Sequence, residues 1–177
     1  WEGIRNFRLH GQNKVFVKFL LSRVTGFIER EAGQSTSFSS YYISQLNSKP
    51  FEVEHIWANK YNEHIDEFDQ QHEFDHYRNH IGDLLLLPRG TNQSYGAMEY
   101  PEKVKHYLKE NLLVKSLNSE AYQNNPNFVK MTQRLSLPFK AHAEFKKVDI
   151  DERQNLIQLI CERIWDRLEI STSGDSA

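Results

Sequence analysis

Glu54 and His55 are adjacent residues of types that together support the hydrolysis of a phosphodiester with a metal ion. They stand at the end of the run Phe51–Ile56, and a second apolar run, Asp83–Pro88, is followed by Asn92. Such hydrolysis needs a general base for water, a cation at the developing negative charge and a grip on the phosphate. An imidazole titrates near neutrality, so His55 is the candidate base. Glu54 offers a hard oxygen for Mg²⁺, and Asn92 offers a neutral carbonyl oxygen from a second element.

Two short strands and a helix must position these side chains. Residues 51–56 alternate in polarity and contain Phe, Val and Ile, which predicts a strand. The run Leu84–Leu87, bounded by glycine and proline, predicts a buried strand, and a short helix is expected near Thr91. Neighbouring side chains of a strand point to opposite faces, so Glu54 and His55 converge only if the chain turns at the strand end. Taken alone, an adjacent acid and histidine is more typical of ordinary surface residues beside a strand.

Helices are expected to form most of the remaining chain. Apolar residues recur at helical spacing in residues 13–31, Gly33–Ser40 has the composition of a loop, and the polar stretch near residues 70–80 favours a helix. Pro101 suits the first turn of a further helix. The apolar face predicted for that helix consists of Val104, Tyr107, Leu108 and Leu112.

The last predicted helix begins at Asp151, with Gln154 completing a pair like a capping box, and continues through Leu168. The tail from Ser171 is expected to be disordered. The predicted fold class is therefore α+β and predominantly helical, with a small two-stranded element among helices. We expect one domain over residues 1–170, with a helical lead-in (1–50), a core (51–100) and a helical C-terminal part (101–170).

The bulk properties exclude several classes of protein. The chain has 177 residues, 26% of them charged, and no apolar run approaches the length that spans a bilayer. Cys161 is the one cysteine, which excludes an internal disulfide and a cysteine-rich zinc site and fits a reducing compartment. The net charge of −2 does not indicate a non-specific nucleic-acid binder. Because the first residue is Trp1 and not methionine, we expect the chain to be the C-terminal part of a longer protein.

The chain resembles the HNH, or ββα-metal, nucleases, and more narrowly the nuclease domain at the C-terminal end of GmrSD-type restriction enzymes. The pattern of that group is Glu/Asp-His-Ile, then His-x-hydrophobic-Gly-Asn-Leu-x-Leu, then Asn, and eleven residues later a Lys preceded by Glu. The matching residues are Val53-Glu54-His55-Ile56, His80-Ile81-Gly82-Asp83-Leu84-Leu85-Leu86, Asn92, Tyr100 and Glu102-Lys103. The match covers about fifty residues with several parts in register, so it is more specific than an acid–histidine pair.

The resemblance implies a role for each motif residue. His55 would be the general base, and Glu54 and Asn92 would hold one divalent metal ion, with Mg²⁺ first and Mn²⁺ or Ni²⁺ as alternatives. The middle Asn of the pattern, which orients the histidine, falls on Asp83 here. Asp83 would accept the imidazole N–H, join the metal, or face solvent while another group orients the ring.

The resemblance also implies a biological setting. The expected function is that of a metal-dependent DNA endonuclease or nickase, the effector of a bacterial or archaeal restriction system against phage. It would act in the cytoplasm, with DNA and an upstream domain of the same polypeptide as partners. The alternative is a catalytically silent HNH-like module that binds DNA or protein.

Other polar residues have two interpretations each. His72, His76 and His80 are spaced to line one helical face, which is a zinc-binding geometry, although a solvated polar face is favoured. Arg89, Lys103 and Lys105 are candidates to hold phosphates, or are ordinary solvated charges. Residues 139–147 mix phenylalanines and lysines as nucleic-acid surfaces do, but a loop that packs its Phe residues inward is more typical.

Overall fold

The computed structural model describes residues 2–43, 48–91, 95 and 98–172, and in them helices surround a two-stranded sheet. The strands are β1 (Phe51–His55) and β2 (Leu84–Pro88). The helices include α1 (Glu2–Arg5), α2 (Lys14–Glu31), α3 (Phe38–Tyr42), α4 (Gln71–Arg78), α5 (Tyr100–His106), α6 (Leu112–Lys115), α7 (Glu120–Gln123), α8 (Pro126–Arg134) and α9 (Lys147–Thr172). Short 3₁₀ turns lie at Tyr61–Glu63, Ile81–Asp83 and Tyr107–Lys109. The expected α+β, predominantly helical fold is confirmed.

The two strands pair in antiparallel orientation, and their register decides which way the motif residues point. Glu54 lies opposite Leu85, and His55 lies opposite Leu84. Residues directly opposite each other in a sheet share a face. Glu54 and His55 therefore leave β1 on opposite faces, and His55 is the last residue of the strand.

The sheet is buried because a separate apolar core covers each of its faces. Residues 84–87 are all leucines with at most 2% of their surface exposed, which explains the uninterrupted apolar run. Members of the first core include Val53, Leu84, Leu86, Leu21 and Ile28 of α2, and Ile157 and Ile160 of α9. Members of the second core include Leu85, Leu87, Trp57, Phe74 and Tyr107. None of the described helices combines the length and apolarity needed to cross a bilayer.

Several predicted elements are confirmed and others need correction. α2, α4, β1 and β2 lie within a few residues of their predicted positions. The loop predicted over residues 33–40 is wrong at its end, because α3 begins at Phe38. Thr91 and Tyr95 are helical, but Asn92 and most of the helix expected there lie outside the described residues.

The helix at Pro101 is shorter than its apolar face predicted. α5 ends at His106, a 3₁₀ turn follows, and Leu112 starts a separate helix, α6. Asn111 explains the break, because its side chain accepts a hydrogen bond from the Val114 N–H (3.2 Å) and donates to the Leu86 carbonyl oxygen (2.7 Å). Because this N-cap residue is bonded to β2, a new helix begins at this point.

The C-terminal helix begins earlier and ends later than predicted. α9 starts at Lys147, and Asp149 Oδ2 accepts a hydrogen bond from the Lys146 N–H (2.8 Å). Gln154 is buried and lies inside the helix, so the capping box predicted at Asp151 is wrong. The helix continues to Thr172, so the tail predicted to be disordered from Ser171 is helical at its first two positions.

Candidate active site

Glu54 and His55 lie in a common electrostatic environment although they leave β1 on opposite faces. The charges of Lys14, Arg78 and Lys103 act on both side chains. Burial, followed by the charge of Glu52, raises the pKa of the Glu54 carboxyl above its ordinary value. For His55, burial is the main cause that lowers the imidazole pKa to about 4. The imidazole is therefore uncharged at neutral pH and has a free lone pair for a proton.

A hydrogen bond to Asn79 orients the His55 ring. His55 Nε2 lies 3.1 Å from Asn79 Oδ1, and Asn79 Nδ2 donates to the Asp75 carbonyl oxygen at 2.7 Å. The second bond fixes the amide so that its oxygen faces the ring, and an amide oxygen only accepts. Nε2 therefore carries the hydrogen, and Nδ1 is the nitrogen that takes a proton. Sequence reasoning missed Asn79, because an asparagine at the C-cap of α4 carries no functional signal.

Asp83 contacts the backbone and not the His55 ring. It is completely buried, and its Oδ1 accepts a hydrogen bond from the Trp57 N–H at 3.1 Å. The expectation that Asp83 orients the imidazole is corrected here, since the ring bonds to Asn79, and the solvent-facing alternative is wrong. Oδ2 is buried without a hydrogen-bond partner among the described residues. Burial raises the Asp83 pKa to about 8, against the opposing charges of Arg78, Lys103 and Arg153.

The side chains of Lys103, Arg78 and Asp83 hold the two residues that follow His55. The Ile56 N–H donates to the Asp83 carbonyl oxygen (2.8 Å), and Lys103 Nζ donates to the Ile56 carbonyl oxygen (3.0 Å). The Trp57 N–H donates to the Asp83 side chain (3.1 Å), and Arg78 Nε donates to the Trp57 carbonyl oxygen (3.1 Å). All four backbone polar groups of these two residues are thus paired. The arrangement fixes the path by which the chain leaves His55.

Lys103 is part of this clamp and is not a solvated surface charge. Only 2% of its surface is exposed, and burial lowers the pKa of its ammonium group. The opposite charge of Asp83 acts against that shift. The interpretation of Lys103 as an ordinary exposed cation is therefore wrong. Its ammonium group donates to the backbone of Ile56, the residue that follows His55.

Arg153 and Gly82 connect the clamp to helix α9. Arg153 is buried, and it donates to the carbonyl oxygens of Gly82 (2.8 Å, from Nε) and Leu84 (3.4 Å, from Nη2). A Cβ atom at Gly82 would lie 2.1 Å from the Ile150 carbonyl oxygen, so only glycine allows this approach. Burial lowers the Arg153 pKa to about 10, which leaves the guanidinium charged at neutral pH. Sequence reasoning missed Arg153, because in the sequence it is one of several polar residues of the predicted C-terminal helix.

The other two predicted phosphate contacts are exposed and already paired. Arg89 Nε lies 2.8 Å from Glu52 Oε1, and Lys105 Nζ lies 2.6 Å from Glu102 Oε1. Exposed pairs of this kind exchange partners at little cost, so a phosphate competes with the carboxylates. Asn92, the second predicted metal ligand, lies outside the described residues.

The three histidines of the predicted zinc face do not lie on one helix, although the ring centroids of His76 and His80 are 6.1 Å apart. α4 ends at Arg78, and His80 forms an isolated β-bridge with Arg8 beyond the helix end. His76 Nδ1 lies 2.9 Å from Arg8 Nη1, so the guanidinium occupies that nitrogen. His72 is exposed. The zinc interpretation of this helix is therefore not supported.

A different group, His142, Asp149 and Glu152, has the spacing of a metal site in the described part of the chain. His142 Nδ1 lies 2.8 Å from Asp149 Oδ1, and Lys140 forms ion pairs with both carboxylates. The lysine already supplies the positive charge there, so the group stabilises the start of α9. Phe145 is buried nearby, which confirms that residues 139–147 pack phenylalanine inward.

The Glu54 carboxylate fits a divalent cation. It is half-buried and has no hydrogen-bond or ion-pair partner within the described ranges. A partly buried, unpaired carboxylate is unfavourable, and a bound cation removes that cost. Its hard oxygen is the kind of ligand that Mg²⁺ and similar ions prefer.

Residues 4–158 match the sequence model of the C-terminal domain of the GmrSD restriction endonucleases. The matched range contains the two strands and the residues of the site described above. No match was found among curated proteins, and none among solved structures.

Proposed function

Because the chain belongs to the family of GmrSD restriction endonuclease C-terminal domains, and is thus a nuclease domain of the restriction type, we propose that it cleaves DNA as an HNH nuclease with one divalent metal ion. We propose further that it is the effector of a restriction system directed against phage. In that setting, the recognition of foreign DNA falls to an upstream domain.

The observation that carries the proposal is the uncharged His55 ring held by Asn79, next in sequence to an unpaired Glu54 carboxylate and under the same cations. The hydrogen bond from Nε2–H to Asn79 leaves Nδ1 as the nitrogen that takes the proton of the attacking water. An imidazole that is already deprotonated at neutral pH needs no prior loss of a proton. His55 is therefore available as a general base under physiological conditions.

Other groups of the site would manage the charge of the phosphate. Glu54, with Asn92 as implied by the resemblance, would hold the metal ion. When bound, a divalent ion stabilises the negative charge that develops on the phosphate oxygens. The positive charges of Lys14 and Arg78 lie near both Glu54 and His55, where a polyanionic substrate must approach. Arg89 remains a proposed phosphate contact at the end of β2.

The test is nicking of supercoiled plasmid DNA with Mg²⁺, Mn²⁺ or Ni²⁺. We expect the wild-type chain to cleave and His55→Ala to lose cleavage by at least about a hundredfold, the usual lower range for a general base. His72→Ala is the matched control, because His72 is an exposed histidine on α4. Undiminished metal-dependent cleavage by His55→Ala would exclude the catalytic assignment.

One observation favours a second candidate function. The motif position that carries Asn in the family pattern carries a buried Asp83, whose side chain contacts Trp57 and not the base. A silent HNH-like module that binds DNA or protein would tolerate this change. Retention of DNA without nicking under all three metals would support this module and exclude the nuclease.

A further inference from the structure

The segment before α2 is joined to the residues that hold the base. The Leu9 N–H donates to the Asn79 carbonyl oxygen (2.8 Å), and the Ile81 N–H donates to the Phe7 carbonyl oxygen (3.1 Å). Arg8 forms a β-bridge with His80 between these two bonds. The N-terminal segment thus pairs through its backbone with residues 79–81.

The side chain of Asn13 bonds to the backbone of the residues that precede it. Its Oδ1 accepts from the His10 N–H (2.9 Å), and its Nδ2 donates to the Arg8 carbonyl oxygen (2.8 Å). Lys14 follows as the first residue of α2. Arg8 and Lys14 thus belong to one folded segment, and the charge of Lys14 acts on both Glu54 and His55.

A cleft of about 430 Å³ lies between this segment and α4. The described residues that line it are Gly3, Asn6, Phe7, Arg8, Leu9, His10, Asn13, His76 and Asn79, and none carries a carboxylate. Glu73 and Asp75 of α4 are not part of that lining. One of the lining residues is Asn79, which accepts the hydrogen bond from His55. The cleft thus borders the residue that holds the proposed base, and no carboxylate is among its described lining residues.

Resting on the proposed function, we propose that this cleft receives the DNA backbone on one side of the scissile bond, with Arg8 and Lys14 contacting its phosphates. The match is one of charge, because a polyanion is complementary to a cleft without a lining acid that is lined by Arg8 and has Lys14 directly after its lining residue Asn13. Lys14 is exposed and has no hydrogen-bond or ion-pair partner in the described ranges, so its charge is available. Arg8 Nη1 lies 2.9 Å from His76 Nδ1 and Nε donates to the Asn6 carbonyl oxygen (3.3 Å), which leaves the guanidinium nitrogen Nη2 for a phosphate oxygen.

The test is the salt dependence of DNA binding, measured by fluorescence anisotropy with a labelled short duplex and a chelator that prevents cleavage. Removal of one side chain that binds a phosphate lowers the slope of log Kd against log salt concentration by about one. We expect this decrease in Arg8→Gln and in Lys14→Gln. Lys130→Gln is the control, since Lys130 is an exposed lysine on α8 and does not act on Glu54 or His55.

Unchanged slopes in both cleft variants, an equal decrease in Lys130→Gln, or no DNA binding by the wild-type chain would each overturn the proposal. Should Arg8→Gln fail to fold, Lys14→Gln decides alone, because the Lys14 side chain contacts no described partner. The result is separate from the nuclease test. DNA binding with the expected slopes but without nicking would contradict the proposed nuclease activity and support the cleft. Nicking with unchanged slopes would support the nuclease activity and contradict the cleft.

Discussion

Asn79 Oδ1 accepts a hydrogen bond from His55 Nε2 over a distance of 3.1 Å, joining the end of β1 to the C-cap of α4. The second bond of Asn79, to the Asp75 carbonyl oxygen, fixes which atom of the amide faces the ring. This pair sets both the tautomer and the orientation of the proposed base. The role that the family pattern gives to its middle asparagine is thus performed by a residue four positions earlier.

Asn79→Ala should lower kcat by about tenfold to a hundredfold, the usual loss when the hydrogen-bond partner of a site histidine is removed. The KM for plasmid should change little, because the role proposed for Asn79 is to position the base and not to bind the plasmid. Asn79→Asp keeps an acceptor at the same place and should recover part of the activity. Steady-state nicking assays measure both parameters, and an unaffected kcat in Asn79→Ala would contradict the positioning role.

The His55 ring should stay uncharged until the pH falls to about 4. Burial disfavours the charged imidazolium, so His55 binds this proton at a lower pH in the folded state than in the unfolded chain, where its pKa has the ordinary value of 6.5. Between those values the unfolded state binds more protons, and the contribution of His55 to the free energy of unfolding decreases as the pH falls. An NMR titration of the ring, assigned with His55→Gln, measures the pKa. A midpoint near 6.5 would contradict the burial argument.

Asp83→Asn should retain the fold and most of the activity. The Asp83 pKa of about 8 means that the side chain is largely protonated at neutral pH, and an amide has the same shape and keeps the acceptor for the Trp57 N–H. Asp83→Leu leaves that buried N–H unpaired and should cost about 1–3 kcal/mol of stability. Urea unfolding compares the two variants. Equal losses would show that the negative charge, and not the hydrogen bond, is what the site requires.

Lys103→Met should lower kcat about tenfold or more while the KM for DNA stays near the wild-type value. The substitution keeps the length of the side chain but removes the donor to the Ile56 carbonyl oxygen, which follows the base directly. Lys130→Met, at an exposed lysine of α8, is the control and should be neutral. A raised KM with unchanged kcat would instead identify Lys103 as a phosphate ligand.

Gly82→Ala should destabilise the fold by about 1–3 kcal/mol or more, because the new methyl group would lie 2.1 Å from the Ile150 carbonyl oxygen. α9 or the 81–83 turn must then shift. Gly11→Ala is the matched control, since a Cβ there meets nothing within 4 Å. Thermal melting of both variants tests the contact, and equal melting temperatures would contradict it.

The strands and the proposed catalytic pair could be identified in the sequence because their signals are local. Four consecutive leucines predict a strand buried on both faces, and the adjacent acid and histidine gained specificity from the motif that follows them. Residues 13–31 form a helix because their apolar side chains recur at helical spacing and pack on the sheet.

The positioning residues were not predictable because their roles depend on distant contacts. Asn79 lies 24 residues from His55, and Arg153 lies 71 residues from Gly82. In the sequence, both are ordinary polar residues at or within helices, and only the folded chain brings them to the site. The wrong role for Asp83 has the same origin, since its partner is a backbone N–H that no side-chain pattern indicates.

The contact between α9 and the 81–83 turn has a consequence for the order in which the site forms during synthesis. Arg153 and Ile150 belong to the last described helix, whereas Glu54, His55 and Asn79 are all made about seventy or more residues earlier. A ribosome-bound chain that has not yet released α9 has no side chain to hold the carbonyl oxygens of Gly82 and Leu84. The turn that carries Asp83 is therefore completed late, and the nascent nuclease acquires its ordered site only when nearly the whole domain has emerged.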